Sequence, residues 1–160
     1  TRAEDALGSG DVAEMGDAYD TIALLLVEPH EPELDLLAAD LAFGASGMTE
    51  VITSVLQDPE ALSGGATEAL TAILDTLDTD LIAEGVVHVQ EAVVGGAEIS
   101  ESQYVVAGAA LLASAVEAAG SFEAIADPAE DDPWYQDVQD AEAFFAEGGV
   151  TDDLLSMFNL

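Results

Sequence analysis

Apolar residues recur along this chain at steps of three and four, and polar capping residues or Gly and Pro breakers separate one stripe from the next. Val12, Met15, Tyr19, Ile22 and Leu26 form the first stripe, opened by Asp11 with Glu14 at capping-box spacing and stopped by Pro29. A second helix is expected from Pro32, burying Leu34, Leu37 and Leu41 and ending at Gly44. A third opens near Ser46 and carries Val51, Ile52, Val55 and Leu56 up to Pro59. Ser63-Gly64-Gly65 then breaks the pattern before Leu70, Ile73, Leu74 and Leu77 mark a fourth helix.

Asp78-Thr79-Asp80 has the chemistry to cap a fifth helix, with Ile82, Val86, Val89 and Val93 facing inward. Residues Gly85 to Val94 are β-branched enough to suit a strand, but the 3.6-residue period and the lack of strand partners favour helix. Ser100-Glu101-Ser102-Gln103 is a full Ser-x-x-Gln capping box. The Ala-rich, almost uncharged helix behind it runs through Val116 and is expected to be the buried central helix, with Gly120 just past its end. After the acidic loop Asp127–Asp132, Asp132-Pro133 should cap a helix with Trp134, Val138, Ala141 and Phe145 on one side. Gly148-Gly149 closes it, and Thr151 opens a last short helix. The fold class this predicts is all-α: a compact orthogonal bundle of about seven or eight short helices in a single domain over residues 1–160. Residues 1–10 are expected to be a flexible start.

Charge changes this picture. Among 160 residues there are 34 Asp or Glu and one basic residue, Arg2, for a formal net charge of −33. Half of the residues are apolar, so the chain still has the material for a core and does not fit the hydrophobe-poor composition of disorder. Intramolecular salt bridges are almost excluded, and like charges must repel across a small surface. Concentrated salt, or a basic macromolecule on one face, would relieve that repulsion. The acidity is spread along the chain rather than blocked in a tail, which favours salt. With its small apolar residues and lack of Lys, the composition is similar to that of proteins from salt-in halophiles. Hydrated monovalent cations are the expected company of such a surface.

Missing residues exclude several kinds of chemistry. Without Lys there is no P-loop, no Schiff base for pyridoxal phosphate and no kinase-like phosphate pairing. One Arg cannot neutralise a nucleic-acid backbone, so direct DNA or RNA binding is not expected. Without Cys there are no disulfides, thiolate nucleophiles or thiolate metal ligands. No cofactor is expected. The start, Thr1 to Gly10, is unlike a signal peptide, and the longest apolar run, Tyr104 to Val116, is short of a membrane span. A cytoplasmic protein is expected, with a viral particle as the other setting.

Four candidate sites remain. Glu84, His88 and Glu91 would share one helical face, a donor set suited to a divalent metal; the simpler reading is a half-exposed His on a solvent face. Asp127, Glu130, Asp131 and Asp132 could hold a cation loosely, although a solvated acidic loop explains them as well. His30 with Ser46 could form a dyad, but helix capping accounts better for Ser46. The C-terminal segment has an apolar edge of Leu154, Leu155, Met157, Phe158 and Leu160 behind a Gly-Gly hinge. It suits docking into a partner or sister subunit, or folding back over Trp134 and Phe145. These features favour a non-enzymatic interaction or assembly protein (subunit, adaptor or small chaperone), with an electrostatic decoy of nucleic acid and a His88-centred metal enzyme as alternatives.

Overall fold

In the computed structural model, which describes residues 2–26, 31–57 and 76–150, eight helices and no strands occur among the described residues. They are α1 (Arg2–Ser9), α2 (Val12–Ala23), α3 (Pro32–Ala45), α4 (Met48–Gln57), α5 (Thr79–Gly95), α6 (Glu101–Ala119), α7 (Phe122–Ile125) and α8 (Tyr135–Glu147). The chain is an all-α bundle.

Polar caps start the helices where side-chain oxygens can take otherwise unpaired N–H groups. Asp11 Oδ1 accepts from Ala13 N at 2.9 Å and Glu14 N at 3.1 Å. Asp78 Oδ1 accepts from Leu81 N, and Ser100 with Gln103 closes a complete capping box. Both α5 and α6 end on left-handed glycines, Gly96 at φ 83° and Gly120 at φ 79°. Residues 85–94 lie in α5, so the helical period prevails over β-branched composition.

Four expectations need correction. Residues 2–9 are helical rather than a flexible start, because Ala3 and Ala6 are buried against the rest of the bundle. The first stripe does not run to Leu26 as one helix; α2 ends at Ala23, leaving Leu24 and Leu25 exposed. Ala92 takes the inward position expected of Val93, since Ala fits where α5 lies close to its neighbours; Val93 is exposed. Asp132 does not cap α8. Its carboxylate turns back to Ala129 N at 2.8 Å, and Trp134 occupies the cap position with no side-chain bond. The expected helix around Leu70–Leu77 falls largely outside the described residues, as do Pro29, His30 and the segment from Thr151 onward.

Alternating contacts fix the helix directions. Asp78 N donates to Ser46 O at 3.2 Å, Gly85 lies under the Phe43 ring, His88 meets Asp35, and Gly95 abuts Pro32. Along α5 these partners descend from 46 to 32, so α3 and α5 are antiparallel. Met15 fills the space beside Gly44, and Gly16 lies near Ala45, where α2 crosses the end of α3. Tyr19 then reaches Glu84 and His88, which places the ends of α2 and α5 near the start of α3.

Buried residues form two clusters. The larger joins Phe43, Ile82, Leu111, Ile125, Val138 and Phe145; the smaller joins Ala3, Ala6, Met15, Ala18, Tyr19, Leu41 and Ala42. The Ala-rich α6 is buried as expected and centres the larger cluster. Helix α3 is the element shared by both, with Ala39 and Phe43 on one side and Ala38, Leu41, Ala42 and Ala45 on the other. By length and apolarity alone α6 would also suit a membrane, but its residues from Ala107 to Val116 are mostly buried within the bundle.

Candidate polar site between α2, α3 and α5

Four polar side chains line up where α2, α3 and α5 meet. The carboxylate of Asp35, on α3, has a side chain only 1 % exposed. Its Oδ1 lies 3.1 Å from Nδ1 of His88, whose side chain is 14 % exposed. Nε2 of the same ring lies 3.3 Å from the hydroxyl of Tyr19 on α2. That hydroxyl donates to Oε2 of Glu84 at 2.7 Å. The Tyr19 and His88 rings meet edge to face with centroids 6.0 Å apart. A polar chain thus runs from the interior to an exposed carboxylate and ties three helices together.

Local helical geometry explains the convergence. Glu84 and His88 are four residues apart on α5, so they stack on one face. Asp35 shares the buried stripe of α3 with Ala38, Ala39 and Ala42. Tyr19 occupies an inward position of α2 with Met15 and Ala18. Small Ala neighbours leave room for the phenol and imidazole between the helices.

The site differs from both sequence readings of His88. It is not on a solvent face. Nor does it assemble the expected metal set of Glu84, His88 and Glu91: both ring nitrogens are occupied by Asp35 and Tyr19, and Glu91 is exposed. Among the described residues no three His, Asp or Glu groups converge as a metal site would require. The sequence reading takes Tyr19 as one member of an apolar stripe and makes no use of Asp35. The available signal was Asp35 itself, a carboxylate at the i position of a buried Ala38, Ala39, Ala42 face.

The order Asp35, His88, Tyr19 has the connectivity of an acid, base and hydroxyl relay. Its electrostatics point elsewhere. Burial, then the hydrogen bond to Glu84, then the negative charges of Glu84 and Asp20 push the Tyr19 phenol well above its ordinary range. A buried phenol held in its protonated form is a hydrogen-bond donor, not a nucleophile. The arrangement is suited to clamping helices.

The other candidate residues are placed as follows. Ser46 Oγ donates to Phe43 O at 2.8 Å and accepts from Met48 N at 3.3 Å, a capping role in the α3–α4 turn. His30 lies outside the described residues. Asp127, Glu130 and Asp131 are exposed on the loop before α8, while Asp132 is partly buried and braces that loop. Leu154, Leu155, Met157, Phe158 and Leu160 lie outside the described residues. A separate groove of about 460 Å³ is lined by Leu7, Val12, Met15, Asp40, Glu50 and Thr53, among others. Burial raises the Asp40 carboxyl, partly offset by a hydrogen bond from Gln103 Nε2 at 3.0 Å.

Fold and site together define an all-α bundle clamped by an Asp–His–Tyr–Glu chain that runs from the interior to the surface. Comparison with protein-family models, with curated proteins and with solved structures gave no match for this chain.

Proposed function

We propose that the protein is a non-enzymatic helical interaction or assembly module, a subunit, adaptor or small chaperone, adapted to concentrated salt in a halophilic organism or its virus. The observation carrying this reading is apolar exposure at one end of the bundle. Leu24 is 84 % exposed, Leu25 59 % and Val94 85 %, and the contacts of α2, α3 and α5 put these positions at the same end. Large apolar side chains left exposed at one end of a bundle suit a protein interface. The C-terminal edge of Leu154, Leu155, Met157, Phe158 and Leu160 belongs to the same proposal on sequence grounds alone.

Charge placement favours salt adaptation over a nucleic-acid decoy. A decoy needs its carboxylates in a stripe that imitates phosphates. Here every described helix carries exposed acids, including Glu4 on α1, Asp17 on α2, Glu33 on α3, Glu50 on α4, Glu91 on α5, Glu117 on α6, Glu123 on α7 and Glu147 on α8. An even anionic coat holds hydrated cations and keeps the protein soluble when salt has shortened the screening length to about 3 Å at 1 M. The cytoplasm of a salt-accumulating cell, or a virus particle assembled there, is the setting proposed.

Circular dichroism with light scattering across a KCl series tests both parts. The expected result is helix formation and self-association at molar salt, with association lost in a Leu24→Ser, Leu25→Ser, Val94→Ser variant or on deletion of residues 150–160. Full folding in dilute buffer would refute the salt adaptation. Unchanged scattering in both variants would refute these interfaces as the means of self-association.

A further inference from the structure

We infer that a second copy of this chain docks on the exposed side of α5, the two α5 helices lying antiparallel about a two-fold axis between residues 88 and 89. This names a partner for the assembly role proposed above and rests on that reading. The inner side of α5 faces the bundle, where Ile82, Gly85, Val86, Val89 and Ala92 are buried. Its outer side carries Ala83, Val87, Gln90 and Val94, all exposed and spaced four, three and four residues apart. That spacing makes one stripe along a helix, the kind that pairs with another helix. Val93 is exposed beside it, so α5 holds three of the six large hydrophobics exposed among the described residues. The stripe has no acid, in a chain with 34 of them.

Charge and symmetry make another α5 the fitting partner. A seam without carboxylates lets two copies of a strongly anionic chain touch, and a basic partner gains nothing from it. The stripe also matches itself when reversed. In the antiparallel pair Ala83 faces the partner's Val94 and Val87 faces the partner's Gln90, so each β-branched side chain meets a small or flexible one. Every contact then occurs twice, as a closed two-fold dimer requires. The same axis sets each flank of the helix beside its own copy. On one flank Val93 adjoins the partner's Val86; on the other Glu84 adjoins the partner's Glu91 and repels it. The range of that repulsion falls from about 10 Å at 0.1 M salt to about 3 Å at 1 M, so the dimer forms in concentrated salt. A stripe this short buries less than the ~800 Å² per partner typical of stable complexes, so the dimer dissociates on dilution.

Disulfide cross-linking of the full chain, which has no Cys of its own, tests this. Ala83→Cys and Val94→Cys are made as separate variants; both positions are exposed, so the core stays intact. Oxidised together in molar KCl, they are expected to give a linked dimer. Oxidised apart, each should stay unlinked, because like positions lie eleven residues, about 16 Å, apart along an antiparallel pair. Glu91→Lys should move association, read by light scattering, to lower KCl, since its ammonium meets the partner's Glu84. The shift should exceed that of Glu147→Lys, which changes the charge equally on α8. An equal shift in both, or a linked dimer from either Cys variant alone, would overturn the antiparallel pairing. Association with no link in the mixture would also overturn it, yet leave the assembly reading standing; no association at any KCl concentration would overturn both. Linking that appears only after deletion of residues 150–160 would give the stripe to that segment and overturn the second copy as its occupant.

Discussion

The two hydrophobic clusters of this molecule meet on α3 but are made of different side chains. Around α6 the interior includes Phe43, Ile82, Leu111, Ile125 and Phe145, with Trp134 and Phe144 partly buried beside them. Between α1, α2 and α3 it is mostly alanine (Ala3, Ala6, Ala18, Ala38, Ala42 and Ala45), with Met15, Tyr19 and Leu41 as the larger groups. Large side chains remove more apolar area from water, at roughly 25 cal/mol per Å². An alanine seam gains less per residue and depends on close approach, which is why Met15 fits only because position 44 has no Cβ. The polar chain from Asp35 to Glu84 lies at the edge of this weaker seam and ties it to α5. A small-residue interface can thus be held in register by hydrogen bonds where apolar area is limited.

The strongest test of that contrast is in the larger cluster. Phe43→Ala should cost about 3–5 kcal/mol, read as a lower urea midpoint in molar KCl. Its ring is 2 % exposed and lies over Gly85, so no neighbour is free to fill the space. Met15→Ala should cost about 2–3 kcal/mol, the low end for such truncations, because the groove beside it is already open. Amide exchange then separates the clusters: α1 and α2 should lose protection while α6 and α8 retain it. Equal losses in all four helices would show that the clusters unfold as one unit.

Tyr19→Phe should cost about 1–2 kcal/mol by leaving His88 Nε2 and Glu84 without their shared partner. The same residue sets an alkaline limit. Its phenol is raised in the folded protein, so the folded state keeps a proton that the unfolded chain releases above about pH 10. Stability is full below that point and falls as pH rises beyond it. The Tyr19→Phe variant should lose part of the alkaline slope in thermal melts taken at successive pH values.

The smallest effect is expected at Asp40. Burial raises its carboxyl more than Gln103 lowers it, so ionisation opposes folding and stability falls as pH rises through the carboxylate range. Asp40→Asn keeps an oxygen for the Gln103 amide and removes that opposition. At neutral pH it should be neutral to slightly stabilising, by less than about 0.5 kcal/mol in urea titrations. Acidification should shrink the difference from the parent.

Local signals were legible wherever one residue and its near neighbours decide the outcome. Asp11, Asp78 and Ser100 cap helices because each can reach an N–H two or three residues away. Gly96 and Gly120 end them because a left-handed residue is needed there. Val138, Ala141 and Phe145 are buried on the face their spacing predicts. The same reasoning misplaced Val93 and Asp132, where a neighbouring helix or the loop's own N–H competes for the position. It also overlooked α1, whose short polar sequence hides a two-alanine contact surface.

By itself, then, the sequence determined helical class, most helix starts and ends, the absence of Lys and Cys chemistry, and an anionic surface. These follow from covalent neighbours and from composition, which do not change on folding. Tertiary structure decided that α3 joins two unequal cores and that His88 faces Asp35 and Tyr19 rather than Glu91. Those partners lie 53 and 69 residues away along the chain. Periodicity can say that a side chain points inward, but only the packing of other helices decides what it meets there.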